Sequence, residues 1–180
     1  IEQDVGDRVS KIKLEIPEIN TVFVDCGAFH YVNESSPKFK KGGFVTSKTA
    51  FDEYMRRHVS KNPEVEYLLC SPDHIVGPHI DDDTFAKRRH FITSSAKGFL
   101  KRVQDIKNVT PVAVVHGRTK EERYLLAKEL IEIGYDYLAF GGLVPLARNP
   151  SEVLNQLAGI TDLENPVIDP KSAFGISLLS

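Results

Sequence analysis

"PVAVVHGRTKEERYLLAKELIEIGYDYLAFGGL", residues 111–143, is the stretch on which the fold turns. It opens on a short apolar run, Pro111 to Val115, of the kind that suits a strand buried on both faces. Thr119 followed three residues later by Glu122 has the pattern of a capping box, and Gly134 stands where a C-terminal glycine belongs. A second strand-like run, Asp136 to Phe140, comes next and is closed by Gly141 and Gly142. Strand, helix and strand in that order make the βαβ unit of a parallel sheet.

The alternation continues on both sides. Thr21 to Asp25, Val65 to Cys70 and, weakly, Ser172 to Ile176 read as further strands. Between them, a helix starting at Ser47 has Ala50, Phe51, Tyr54, Met55 and Val59 as its apolar stripe. Another, from about Thr84 to Ile106, repeats Phe85, Ile92, Ala96, Phe99, Val103 and Ile106 at helical spacing, with Asp81, Asp82 and Asp83 as caps favoured by the helix dipole. A last helix begins at Asn149 with Pro150 in its first position. Lys38-Phe39-Lys40-Lys41-Gly42-Gly43 reads as a mobile basic loop. The whole, residues 1–180, is expected to be one α/β domain of about five βα units. A closed eightfold barrel usually takes ~250 residues, so the sheet is open or the chain is part of a longer one.

Composition narrows the partners. With 180 residues and 41% hydrophobic content the chain can bury a full core. A net charge of −2 supplies no attractive field for nucleic acid, so such a partner needs a local basic patch. Two cysteines are too few for a disulfide framework or a four-cysteine zinc site, which fits a reducing, cytoplasmic setting. No apolar run approaches the ~20 residues of a membrane span, so no membrane partner is expected.

The chemistry gathers at the carboxyl ends of the strands, where parallel α/β proteins bind ligands. Asp25 suits a turn cap, but Gly27 beside it would let a ligand approach the backbone, and Phe29 could stack on a flat substrate. Asp73 repeats the arrangement after "EYLLCSP", and a carboxylate there can accept two parallel hydrogen bonds from a planar N–H/NH₂ edge such as that of guanine. His116, in "VAVVHGRT", is either a buried histidine satisfied by backbone or a donor to a base carbonyl. His74, His79 and Asp81 lack a metal-ligand spacing, and no metal site is expected in this chain. Gly141 and Gly142 in "AFGGLVPL" expose N–H groups able to hold a phosphate or a base carbonyl oxygen. Arg88 and Arg89 read as a solvated helix face that could also touch a nucleic-acid backbone.

In order, "VDCGAF", "LLCSPD", "VVHGRT" and "FGGLVPL" resemble the catalytic domain of the tRNA-guanine transglycosylases, and the related enzymes that insert 7-deazaguanines into DNA share the pattern. The resemblance covers about residues 20 to 178. It implies a (β/α)8 TIM-type barrel, incomplete here, with this chain supplying roughly the third to the seventh strands. Asp25 matches the family's acid tied to catalysis, Phe29 the aromatic that stacks on the base, and Asp73 the acid that reads its N–H edge. His116 stands where the family usually has glutamine, Cys26 where it has serine, and Gly141, Gly142 and Leu143 match the backbone that meets the base carbonyl. The implied activity is exchange of guanine for a 7-deazaguanine in tRNA or DNA through a glycosyl-enzyme intermediate. The family's nucleophilic aspartate and its cysteine-rich zinc site belong beyond this sequence, which implies a longer chain, a homodimer or a catalytic partner subunit. Two alternatives stand beside it: a non-catalytic subunit that binds a base or nucleic acid, and a barrel enzyme that holds a phosphosugar on Gly141 and Gly142.

Overall fold

A computed structural model of the chain describes residues 20–146 and 148–158. Four parallel strands, β1 (Thr21–Val24), β2 (Glu66–Cys70), β3 (Val109–Val115) and β4 (Leu138–Phe140), lie side by side in the order of the sequence. Val24 pairs with Leu69, Cys70 with Val112 and Val115 with Phe140, so the strands end near one edge of the sheet. The helices are α1 (Ser47–Tyr54), α2 (Asp82–Val103), α3 (Lys120–Ile133) and α4 (Pro150–Ala158). Among the described residues no helix is long and apolar enough to cross a membrane.

Alternation along the strands divides the core between two faces. Val24, Tyr67, Leu69, Ala113, Val115 and Phe140 point to the side where α1, α2, α3 and α4 deliver Tyr54, Phe99, Leu126, Leu130 and Leu157. The other face carries a smaller cluster, Cys70, Val112, Val114 and Ala139 with Phe23 and Leu68, drawn from the strands themselves. A doubly wound sheet has helices on both faces. Sequential strand order with helices gathered on one face is the wall of a singly wound sheet, compatible with part of a (β/α) barrel.

Local chemistry sets the helix ends. Thr119 accepts a hydrogen bond from the Glu122 N–H at 3.2 Å, and Glu122 reaches back to the Arg118 N–H at 2.7 Å. Asp81 caps α2 through the Thr84 N–H at 2.8 Å, which starts that helix at Asp82 rather than at Thr84. Helix α2 also stops at Val103, short of Ile106. Helix α1 runs on into a π-helical turn, Met55–Val59, which brings His58 into the core while Phe51 and Met55 stay partly exposed. Asp25 and Asp136 lie just outside their strands. The fifth strand expected at Ser172 to Ile176 lies outside the described residues.

Candidate active site

The loops that follow β2, β3 and β4 meet around one buried carboxylate. Asp73 is 3% exposed and His116 1%. Asp73 Oδ2 is in close hydrogen-bonding contact with His116 Nε2, and Oδ1 takes the Cys26 thiol. The Tyr31 hydroxyl donates to the Asp73 backbone carbonyl at 3.0 Å and so ties the turn after β1 to the loop after β2.

The proton on His116 follows from its two partners. Nδ1 faces the Val76 N–H at 3.5 Å, which makes it the acceptor. Nε2 therefore carries the hydrogen and donates to Asp73. Both ring nitrogens are thus engaged within the protein. Cys26 is the matching donor on the other side. Burial first, then the charges of Asp73 and Asp25, push its thiol well above the ordinary range, so it stays protonated. Burial likewise raises the Tyr31 hydroxyl, with Cys26 and Asp73 adding to the shift.

Gly141 lies against the His116 ring so closely that a Cβ there would overlap Cε1 and Nε2. Its N–H bonds the Val115 carbonyl at 3.0 Å, and its own carbonyl receives Arg123 Nη1 at 2.9 Å. Arg123 is 2% exposed and also donates through Nε to Gln156 at 3.2 Å. Burial lowers this guanidinium to about 10, which still leaves it charged at neutral pH, where it fastens the turn after β4 to α3 and α4. Gly142 takes the left-handed conformation with φ 71°, and the Leu143 side chain is wholly buried in the helix-side core.

Asp25 stands apart from this knot while remaining within its electrostatic reach. It is accessible to solvent. Enough protein surrounds it that desolvation raises its carboxyl, with the charge of Asp73 adding to the rise, and the nearby backbone N–H groups of Gly27 and Cys26 act to lower it without cancelling that rise. Phe29, in the 3₁₀ turn Ala28–Tyr31, is 67% exposed. A cavity of about 710 Å³ touches Asp25 and Gly27 but not Asp73, His116 or Gly141. Both acids, the imidazole and the glycines, all placed at the carboxyl ends of the strands, therefore do not line one open hollow. Asp73, His116, Gly141 and Gly142 close on each other, with Asp25 at the rim.

Sequence reasoning did not find Tyr31 or Arg123. Arg123 had a signal: it sits three, four and seven residues before Leu126, Ala127 and Leu130, on the buried stripe of α3 where a charge needs a reason. His74 is buried, with Nε2 on the Glu34 carbonyl at 2.9 Å and Nδ1 without a hydrogen-bond partner among the described residues. Among the described residues no group of three or more His, Cys, Asp or Glu is arranged to hold a metal.

No family model matches the chain. It is 29% identical over 157 residues to the DNA-guanine transglycosylase of Salmonella montevideo, an alignment that covers 82% of this chain and 34% of that protein. The chain thus spans about a third of the length of the curated relative it matches. Taken with the order of the strand-end motifs, this similarity supports the transglycosylase family for the chain, as a distant relative.

Proposed function

We propose that this chain is the base-binding part of a transglycosylase that exchanges guanine for a 7-deazaguanine in a polynucleotide, built on a (β/α)8 barrel. The observation that supports it best is the meeting of Asp73, His116 and the Gly141 turn at three successive strand ends, with Asp25 beside them. Asp73 reads the N–H edge of the base through its two oxygens once Cys26 and His116 yield. His116 positions Asp73 before the base arrives, and the base carbonyl is left to the N–H groups of Gly142 and Leu143. Phe29 supplies the stacking surface for a base drawn out of its strand.

In the reaction, a carboxylate attacks C1′, the guanine leaves, and a glycosyl-enzyme ester forms. The incoming base then displaces the carboxylate and restores the glycosidic bond. Protons must reach the leaving purine and leave the arriving one. Asp25, whose carboxyl is raised and open to solvent, serves as that acid and base. The attacking carboxylate belongs, by the resemblance, to a strand beyond this sequence. DNA is the favoured polymer because the curated relative is a DNA-guanine transglycosylase.

The test is release of radiolabelled guanine from DNA and from tRNA by the complete protein in the presence of 7-deazaguanines. Exchange that is abolished by Asp25→Asn supports the assignment. Full-rate release by that variant removes Asp25 from the chemistry. A non-catalytic base-binding subunit remains the second reading, favoured by the internal saturation of Asp73. The phosphosugar reading loses ground because the Gly141 N–H is already bonded to Val115.

A further inference from the structure

Fastening a turn does not require a buried charge, yet Arg123 is 2% exposed and remains charged at neutral pH. Among the described residues no carboxylate pairs with it: Glu122, its neighbour in the chain, is held by Arg118 at 2.7 Å. Its hydrogen bonds run instead to neutral acceptors, the Gly141 carbonyl at 2.9 Å, the Gln156 side chain at 3.2 Å and the Val115 carbonyl at 3.5 Å. Cations in a protein interior are rare unless paired, because they give up their hydration. Here the sequence has also cleared the space. A Cβ on Gly117 would stand 2.8 Å from Arg123 Cγ and from its backbone nitrogen, so the glycine of "VVHGRT" lets α3 start close to the strand end.

What the cation does follows from peptide geometry. The chain contains no cis peptide bond, so the Gly142 N–H points opposite to the Gly141 carbonyl that Arg123 holds. A guanidinium on the oxygen draws electrons toward that end of the peptide and leaves the N–H at the other end a stronger donor, as neighbours do in a chain of hydrogen bonds. That N–H donates to no other described residue, whereas the Gly141 N–H is spent on Val115. Gly142 is half-buried, and a Cβ on it would stand 3.4 Å from His116 Nδ1 and 3.8 Å from Arg123 Nη2. The donor thus sits beside the imidazole that holds Asp73. In guanine the carbonyl lies next to the ring N–H, so a base read by Asp73 brings its oxygen to a neighbouring donor.

We propose that Arg123 is a positioning residue of the exchange: it holds and polarises the Gly141–Gly142 peptide so that the Gly142 N–H stabilises negative charge on the carbonyl oxygen of the purine. As the glycosidic bond breaks, its electron pair stays with the purine and part of that charge reaches this oxygen, where a fixed donor is worth most. The proposal rests on the transglycosylase reading for its base, and on the buried guanidinium and the unspent N–H for its mechanism.

The experiment is calorimetry on the complete protein with two probes, 7-deazaguanine and 7-deaza-6-thioguanine, which share the N–H edge and differ in the acceptor beside it. Sulfur accepts hydrogen bonds poorly, so the wild type should bind the oxo base more tightly. Arg123→Gln removes the charge and keeps a donor for the turn; it should weaken the oxo base about tenfold and the thio base less than about twofold. Arg123→Lys keeps a cation and should retain more of the preference than Arg123→Gln. A residue that only braces the turn would weaken both bases alike. Equal losses for the two probes, or a smaller preference in Arg123→Lys than in Arg123→Gln, overturns the proposal. If circular dichroism shows Arg123→Gln unfolded, Arg123→Met, which keeps an apolar stem in the core, carries the same prediction. Binding of neither probe by the wild type ends the base-exchange reading and the role of Arg123 with it. Binding by the wild type with an unchanged preference in the neutral variant ends only the role of Arg123.

Discussion

Replacing Asp73 separates a residue that is merely present in a pocket from one that holds the pocket together. Asp73→Ala leaves the His116 Nε2–H and the Cys26 S–H, both gathered around a carboxylate that is 3% exposed, without an acceptor. A buried donor left unpaired costs about 1–3 kcal/mol, and the weaker thiol adds less, so a loss of about 2–4 kcal/mol is expected. That is a large part of a stability of about 5–15 kcal/mol, so the alanine variant should stay folded but unfold at a markedly lower urea concentration. Asp73→Asn should be milder, about 1 kcal/mol, because its amide oxygen can still accept from His116 while its NH₂ faces the Cys26 sulfur, a poor acceptor. Urea unfolding of the three proteins gives the ordering directly. An alanine variant within about 0.5 kcal/mol of wild type, or an asparagine variant less stable than alanine, would show that the hydrogen bonds to Asp73 do not hold the strand ends together.

Other perturbations test the surroundings of the knot. Asp25 has a raised carboxyl, so its stabilising share is fully present below about pH 4 and is lost as pH rises through the raised value. Asp25→Asn should therefore raise the melting temperature at pH 7, with the gain disappearing near pH 3.5; a variant that melts below wild type at pH 7 contradicts this. His74 is shifted the other way, chiefly by burial, so its share is present above about pH 6.5 and is lost as pH falls through the lowered value. His74→Gln keeps an N–H donor for Glu34 and should flatten the decline of stability between pH 7 and 5; an unchanged decline assigns it to other groups. Gly141→Ala forces a methyl into the His116 ring and should lower stability by about 1–3 kcal/mol while weakening base affinity in calorimetry. Wild-type values for both would mean that the turn moves freely.

Much of the framework could be read from letters because its signals are local. Apolar runs bounded by polar or glycine-rich turns locate β1 to β4 within two residues, and Thr119, Gly134 and Pro150 mark helix ends by what their own side chains or backbones can do. The π-helical turn at Met55–Val59 was hidden because a 3.6-residue period has no place for its extra residue, and His58 was left out of the stripe for that reason. The strand-end residues were legible as a set, while their partners were not. Nothing in "VDCGAF" says that the Cys26 thiol turns to an acid 47 residues away, nor that the imidazole in "VVHGRT" uses one nitrogen on that acid and the other on Val76. Those pairings depend on how the loops close, which the strand register decides.

The two acids come to differ by depth alone. Both follow parallel strands paired in register, yet Asp73 lies under Tyr31 and against His116, where each oxygen has a donor, whereas Asp25 is exposed at the rim of a cavity. A carboxylate with fixed donors on both oxygens is suited to recognition, because its geometry is set before a base arrives and donors on the base can take over from His116 and Cys26. An acid at a solvated edge, with a carboxyl lifted by desolvation and by the charge of its neighbour, is suited to exchanging protons. The raised state of Asp25 also depends on Asp73, since that charge contributes to it. A base that covers Asp73 with its own N–H groups would weaken the repulsion felt by Asp25 while removing more water from around it. These effects oppose each other, so the pH dependence of exchange measures which one prevails: an acidic limb shifted to higher pH in the base-bound enzyme means desolvation wins, and a shift to lower pH means the neutralised neighbour does.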